Sequence, residues 1–224
     1  MLHLGLLGYN ISHSKSQYIY EEILKKKISY NLFDLKKPYD SLENYFNSVS
    51  GLSITSPYKQ VYLDQVITTD EIKSLSAINC IKFENKEFVA TNTDYLALKE
   101  ILIKYQNRDI IILGNGVMAS VLKKILIKNS CDYLLINSTE LREKDCINFN
   151  SYKKRHNKRV VFNCCSRSFI LKAIFDKNDL FYDLNYQMPD HQELSSINEI
   201  DYIDGLELLN LQAKFALSFW GISQ

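Results

Sequence analysis

Eight polar residues of this chain stand where short apolar runs end and helical patterns begin: Ser14, Ser16, Thr55, Lys59, Asn79, Asn92, Thr93 and Asp94. Hydroxyls, amides, an ammonium and a carboxylate at such places suit a small ligand rich in hydroxyl and carboxylate groups. Open α/β sheets bind ligands at the carboxyl ends of their strands. Each residue also has a plain structural use. Ser16 can cap a helix, Asp94 can complement a helix dipole and Asn79 can organise a turn. Lys59, just past Thr55-Ser56-Pro57, can be a solvated charge after an X-Pro turn. Only the set as a whole favours ligand binding.

A second group lies further along. "ILGNGVMAS" fits the pattern G-x-G-x-x-A through Gly114, Gly116 and Ala119, directly after a strand and opening a helix. In that context the glycines allow a tight turn and a close backbone approach, so that a pyrophosphate can sit on the helix N-terminus. The choice of dinucleotide falls at the end of the next strand, in "INSTELRE" (136–143). An acidic residue there selects NAD and a basic one NADP. Asn137 and Ser138 stand at the decisive place, Arg142 is within reach of a phosphate and Glu140 would repel one. The residues leave the choice open.

The elements that must position these groups alternate between strand and helix. Strands are expected at 3–8, 29–35 and 51–55, with helices at 16–27 and 39–49 and helical turns through 59–76. A hairpin at 77–92 turns around Glu84-Asn85-Lys86, before a helix from 93 to 105. The pattern restarts with an apolar strand at 108–114, a helix at 117–128 and strands at 131–137, 159–165 and 179–184. A short strand, "DYID", then precedes a helix at 206–221. Such alternation implies parallel sheets with right-handed crossovers. The fold class is α/β, with two α/β domains joined by helices across a cleft and the second domain Rossmann-like. The expected domains are 1–100, with the helix of 206–224 packing back onto it, and 101–205.

The totals narrow the function. With 224 residues the chain can bury a sizeable core, and 27 basic against 26 acidic residues give no electrostatic case for nucleic acid or an anionic membrane. The basic clusters at 24–27 and 152–159 are read as solvated turns and helix ends. Five cysteines without C-x-x-C spacing and four scattered histidines suggest neither a disulfide framework nor a metal site. No signal-peptide pattern or long apolar run is present, so a cytoplasmic location with reduced thiols is expected.

In order along the chain, "GYNISHSKSQYIYEEI", "LSITSPYK", "SAINCI", "TNTD", "GNGVMAS", "NSTELR", "FNCCS", "YDLNYQ" and "DGLELLNLQAKFALSFWG" resemble the motifs of the shikimate dehydrogenases. The resemblance implies reversible hydride transfer between a nicotinamide and the C3 oxygen of shikimate or 3-dehydroshikimate, in the route to chorismate and the aromatic amino acids. It assigns Ser14, Ser16 and Tyr186 to the substrate carboxylate, and Thr55, Asn79, Asp94 and Gln212 to ring hydroxyls. It makes Lys59 and Asp94 the catalytic pair. That is chemically sensible, because a ketone takes hydride on carbon and a proton on oxygen, and a lysine held by a carboxylate can supply the proton. The cofactor contacts it implies are Gly114, Asn115, Gly116, Val117, Met118, Asn137, Ser138, Thr139, Arg142, Leu184 and Gly205, with no metal. NADP is the first choice and NAD the second, and the protein is expected as a monomer or homodimer.

The sequence departs from those motifs in several places. Asn10 and Gln17 stand where the family has prolines, Val117 replaces a second glycine and Ser138 replaces an arginine. Arg167, in "CCSRSF", is expected to face the nucleotide or water, with water preferred. The chain is short for the family, and its second half reads as trimmed. Ser138 keeps an NAD-dependent shikimate/quinate dehydrogenase in view. Val117 and the trimmed half keep in view a weakened, shikimate-binding sensor or scaffold.

Overall fold

The first strand, β1 (His3–Gly8), has every residue after His3 buried, as befits the middle of a sheet. In the computed structural model it pairs in parallel with both β2 (Ser29–Asp34) and β3 (Gly51–Ile54). Helices α1 (Ser16–Leu24) and α2 (Glu43–Phe46) make the two crossovers. The structure describes all residues except Met1, Asp145, Lys154, Asn157 and Gln224, and the backbone but not the side chains of Ser138 and Arg142. The chain divides into two compact units, residues 1–97 with 209–224 and residues 98–208.

In the first unit the sheet order is β2-β1-β3-β4-β5, where β4 (Cys80–Glu84) and β5 (Glu87–Thr91) form the expected hairpin. Both hairpin strands run antiparallel to their neighbours, so this sheet is mixed rather than wholly parallel. Of the helical turns expected through 59–76, residues 59–64 form hydrogen-bonded turns and α3 (Asp70–Leu75) is a helix, which starts where Thr69 Oγ1 accepts from the Ile72 amide. The helix expected over 39–49 is the single turn α2. Its surroundings are held by tyrosines instead: Tyr45 and Tyr62 share a hydroxyl hydrogen bond of 3.0 Å, and Tyr62 donates to the Tyr39 carbonyl. Helix α4 (Thr93–Ile103) leads out of this unit, and α8 (Leu206–Phe219) leads back into it. Ala213, Ala216 and Leu217 of α8 share a core with Leu4, Ile19, Tyr20 and Ile28.

The second unit holds a parallel sheet in the order β12-β11-β9-β6-β7. Its strands are β6 (Asp109–Leu113), β7 (Tyr133–Ile136), β9 (Arg159–Asn163), β11 (Leu180–Asp183) and β12 (Asp201–Ile203). A separate two-stranded ladder joins β8 (Ile147–Asn148) to β10 (Ala173–Ile174). The helices are α5 (Val117–Lys128), α6 (Ser138–Glu143) and α7 (Pro189–Ile197). None of the chain's described helices is long and apolar enough to cross a membrane. One member of the basic run 152–159 is not solvated: the Arg159 side chain is 1% exposed. Its Nε and Nη2 meet the two oxygens of the buried Asp179 at 2.9 and 2.6 Å, and Nη1 reaches the Phe149 carbonyl. A guanidinium with its donors met in this way tolerates burial.

Asn10, in place of the family's proline, has a structural reason. Its φ is 56°, and its amide donates to Asp34 Oδ1 at 2.7 Å, with the Ile11 amide on Oδ2 at 3.1 Å. Proline fixes φ near −65° and has no N–H, so it fits neither requirement. Asn10→Pro is therefore expected to destabilise the protein by more than about 1 kcal/mol, read as a lower urea midpoint. A second expectation concerns pH. Burial, the leading cause in each case, pushes the phenols of Tyr20, Tyr45, Tyr62, Tyr95, Tyr105, Tyr182 and Tyr202 above the ordinary value. The folded state then keeps these protons where the unfolded chain has lost them. This stability is whole below the ordinary tyrosine pKa of about 10 and is lost as pH rises beyond it. Urea midpoints at about pH 9 and pH 11 should show the fall, and equal midpoints would refute it.

Candidate functional site

Two topological switch points organise the candidate residues. In the first sheet the chain goes from β1 out to β2 and returns to β3, so the loops after β1 and β3 part at their carboxyl ends. Ser14 and Ser16 follow β1, and Thr55 and Lys59 follow β3. The Ser14 and Ser16 hydroxyls lie 3.1 Å apart, and Ser14 Oγ accepts from the Ser16 amide at 3.2 Å. Ser16 is not the N-cap of α1. That place belongs to Lys15, whose side chain makes no cap bond. Two hydroxyls therefore gather at the helix's N-terminal end.

Lys59 and Asp94 meet. Lys59 Nζ is 2.7 Å from Asp94 Oδ2, and each residue is 8% exposed. The Ile78 amide donates to the Lys59 carbonyl at 2.8 Å, which fixes the backbone beneath the lysine. Asp94 is placed by the start of α4. There Asn92 Oδ1 accepts from the Tyr95 amide at 2.9 Å, while its Nδ2 donates to the Ala77 carbonyl. Asn79 Oδ1 accepts from both the amide and the hydroxyl of Thr93, at 2.7 and 3.1 Å. Thr93 Oγ1 is also 3.0 Å from Gln212 Oε1 on α8. Lys59 and Asp94 are thus brought into contact, and Asn79 joins Gln212 through Thr93. Thr55 donates its amide to Leu7 and accepts from the Tyr58 amide, closing the turn that leads to Lys59. Sequence reasoning missed one neighbour, Tyr20, a turn after Ser16 on α1, whose buried hydroxyl pairs with Ser53 Oγ at 3.2 Å.

The second unit has its own switch point, between β6 and β9. Gly114 follows β6 directly at φ 97°, and a Cβ there would lie 3.2 Å from Cys164 and Cys165 backbone atoms. Glycine is the residue that meets both conditions. Gly116 differs: it is the N-cap of α5, and a Cβ on it would meet nothing within 4 Å. Open space over the first turn of a twelve-residue helix fits the phosphates of a dinucleotide. Asn115 precedes this cap, and Val117 and Met118, both half-buried, open the helix. At the end of β7, Asn137 caps α6, its Oδ1 accepting from the Thr139 and Glu140 amides at 2.9 Å each. Glu140 pairs along the helix with Lys144 at 2.8 Å. Ser138 and Arg142 lie on α6, and their side chains are outside the described residues.

The most elaborate part of this unit was not anticipated from sequence. Asp183, wholly buried at the end of β11, accepts on Oδ1 from Asn163 Nδ2, the Asn185 amide and Asn185 Nδ2, at 2.9–3.1 Å. Its Oδ2 takes His191 Nδ1 at 2.5 Å and the Tyr202 hydroxyl at 3.4 Å. His191 Nε2 accepts from the Leu171 amide, so the ring proton sits on Nδ1. The only sequence signal was the aspartate at a strand end with Asn185 two residues on, in "YDLN". The network sets the loop of Leu184 and Tyr186, and Gly205 lies against the same loop. A Cβ at Gly205 would come within 2.4 Å of the Leu184 carbonyl oxygen. Gly205→Ala is expected to cost about 1–3 kcal/mol by overpacking backbone against backbone. A drop in urea midpoint checks it, and an unchanged midpoint counts against this packing.

Residues 6–81 match the family model of the shikimate dehydrogenase substrate binding domain. Among curated proteins, a shikimate dehydrogenase (NADP(+)) of Clostridium botulinum is 27% identical, the match covering 96% of this chain and 95% of that protein. One from Saccharolobus islandicus is also 27% identical, over 96% and 88%. Among solved structures, shikimate dehydrogenase 1 from Peptoclostridium difficile shares the fold with a TM-score of 0.76 at 21% identity, covering 99% of this chain and 92% of that one. The Thermus thermophilus enzyme, solved with NADP(H) and shikimate, gives a TM-score of 0.72 at 17% identity, covering 98% and 93%. Along nearly its whole length the chain is thus similar to shikimate dehydrogenases, and its residues 6–81 match the model of their substrate binding domain.

Proposed function

We propose that this chain is an NADP-dependent shikimate dehydrogenase, reducing 3-dehydroshikimate to shikimate and running in reverse as concentrations dictate. The observation that carries the reading is the buried contact of Lys59 with Asp94 at the first sheet's switch point, beside Asn79, Thr93 and Gln212. An ammonium and a carboxylate buried together amid hydroxyl-binding groups are more than a solvated pair. The sequence-matched relatives, named for this reaction and for NADP(+), support the same substrate and cofactor.

In this reading the first unit holds the substrate and the second the dinucleotide. The cofactor, when bound, supplies or accepts the hydride. Lys59 does the proton work, giving a proton to the C3 oxygen in reduction and taking it back in oxidation. Asp94 keeps Nζ aimed and accepts from a ring hydroxyl. Asn79 spends its carbonyl oxygen on Thr93, which turns its amide toward the role of hydroxyl donor. Thr55 and Gln212 take further ring hydroxyls. Ser14 and Ser16, hydroxyl to hydroxyl at the start of α1, bind the carboxylate with the favourable end of the helix dipole. Tyr186 is assigned to the same carboxylate by resemblance alone. Gly114, Asn115, Gly116, Val117 and Met118 hold the pyrophosphate. Asn137, Ser138, Thr139 and Arg142 hold the adenosine end, with Leu184 and Gly205 at the nicotinamide end.

The test is the initial rate of shikimate oxidation with NADP and NAD in parallel, and with quinate as second substrate. Lys59→Ala is expected to lower kcat by about 10²–10⁴-fold, the usual share of a general acid–base group, while shikimate still binds. A higher rate with NAD, or turnover of quinate, would point to the shikimate/quinate enzyme. Folded protein that binds shikimate but turns it over with neither cofactor would mark a sensor and end the enzyme reading.

A further inference from the structure

The loop after β11 passes through Leu184, Asn185 and Tyr186 to Gln187, whose φ of 55° is left-handed. A non-glycine residue in that region needs its surroundings to hold it there. On one side the holding is done by the Asp183 network. Asn185 bonds Asp183 Oδ1 through its amide and Nδ2, and Nδ2 also reaches the Cys165 carbonyl at 3.2 Å. On the other side stands Arg167, from the loop after β9. Its Nη1 donates to the Tyr186 carbonyl at 2.5 Å and its Nη2 to the Gln187 carbonyl at 3.1 Å. Its guanidinium carbon also lies 5.6 Å from the centre of the Tyr186 ring.

We propose that Arg167 is a positioning residue, a clamp that fixes the Leu184–Gln187 loop and the Tyr186 ring in their ligand-binding arrangement. The identity of the ligand rests on the proposed function, whereas the clamp itself does not. The geometry separates a clamp from a simple positive charge. Two adjacent carbonyls and a ring face are met together by a planar fork of N–H donors, and a lysine ammonium offers neither the fork nor the stacking plane. Arg167 is thus committed to the neighbouring loop, rather than to water as its sequence context had implied. It also links the two loops that follow β9 and β11, through the backbone carbonyls of Tyr186 and Gln187.

The experiment compares wild type, Arg167→Ala, Arg167→Lys, Tyr186→Ala and the Arg167→Ala/Tyr186→Ala double variant. Hydrogen exchange is followed by mass spectrometry on peptides covering 183–188, alongside shikimate and NADP kinetics and urea midpoints. Arg167→Ala is expected to speed exchange in that segment at a nearly unchanged urea midpoint. The KM for shikimate should rise about tenfold, the scale of one lost charge-assisted hydrogen bond, with a smaller change in kcat. Arg167→Lys should not restore either, and Arg167→Ala should add little to KM once Tyr186 is gone. Unchanged exchange in Arg167→Ala, full rescue by lysine, or an undiminished effect in the double variant would each overturn the clamp. So would a rise confined to the KM for NADP, which would assign Arg167 to the nucleotide. If the wild type turns over neither cofactor, the proposed function falls, and the exchange measurement alone decides the clamp.

Discussion

A lysine ammonium that is nine-tenths buried is stabilised by a carboxylate beside it, and the start of α4, the entrance to the hairpin and the turn after β3 all bear on that contact. Asp94 meets Lys59 because α4 starts where it does. Helix α4 starts there because Asn92 caps it while bonding back to Ala77. Asn79, at the entrance to the hairpin, then takes the amide and hydroxyl of Thr93, so the strand and the helix are locked in one register. From the other direction, the Thr55 turn and the Ile78 amide fix the backbone at Lys59. The ion pair is the point at which two independently anchored pieces of chain converge.

The second unit solves the opposite problem, a buried carboxylate that pairs with no lysine or arginine among the described residues. Asp183 is satisfied by neutral donors alone: two asparagines, a histidine and a tyrosine. A carboxylate surrounded in this way becomes a hub of fixed geometry, because each donor belongs to a different segment. Asn163 comes from β9, His191 from α7 and Tyr202 from β12, and Asn185 carries the loop beyond β11. The ends of β9, β11 and β12 are therefore tied together by one side chain in addition to the ladder.

The strands and the longer helices were legible in the sequence because their apolar spacing is set by burial, as in β6 and α5. The site residues were legible as a set, since polar residues at strand ends have few other reasons to recur. What escaped was held together by contacts distant in sequence. The helix expected over 39–49 is shortened to Glu43–Phe46 with a turn at either end, and the chain before it is held at Tyr39 by the hydroxyls of Tyr45 and Tyr62. Arg159 looked like part of a solvated basic run until Asp179, 20 residues away, neutralised it. Asn10 looked like a loss of rigidity, yet Asp34 gives its loop a different anchor. Helix α7 has no strong apolar stripe, and His191 faces inward only because Asp183 is there.

The first unit is built from two stretches of chain separated by the whole of the second. Trp220 Nε1 bonds the Ile81 carbonyl across 139 residues of sequence, and the core that includes Leu4 and Ile19 is closed by Ala213, Ala216 and Leu217. On the ribosome, residues 98–208 can therefore emerge and form their sheet while the earlier unit still lacks its last wall. Until α8 leaves the exit tunnel, an apolar face of the nascent chain waits uncovered. A chaperone would matter most after the second unit has emerged and before α8 has followed it.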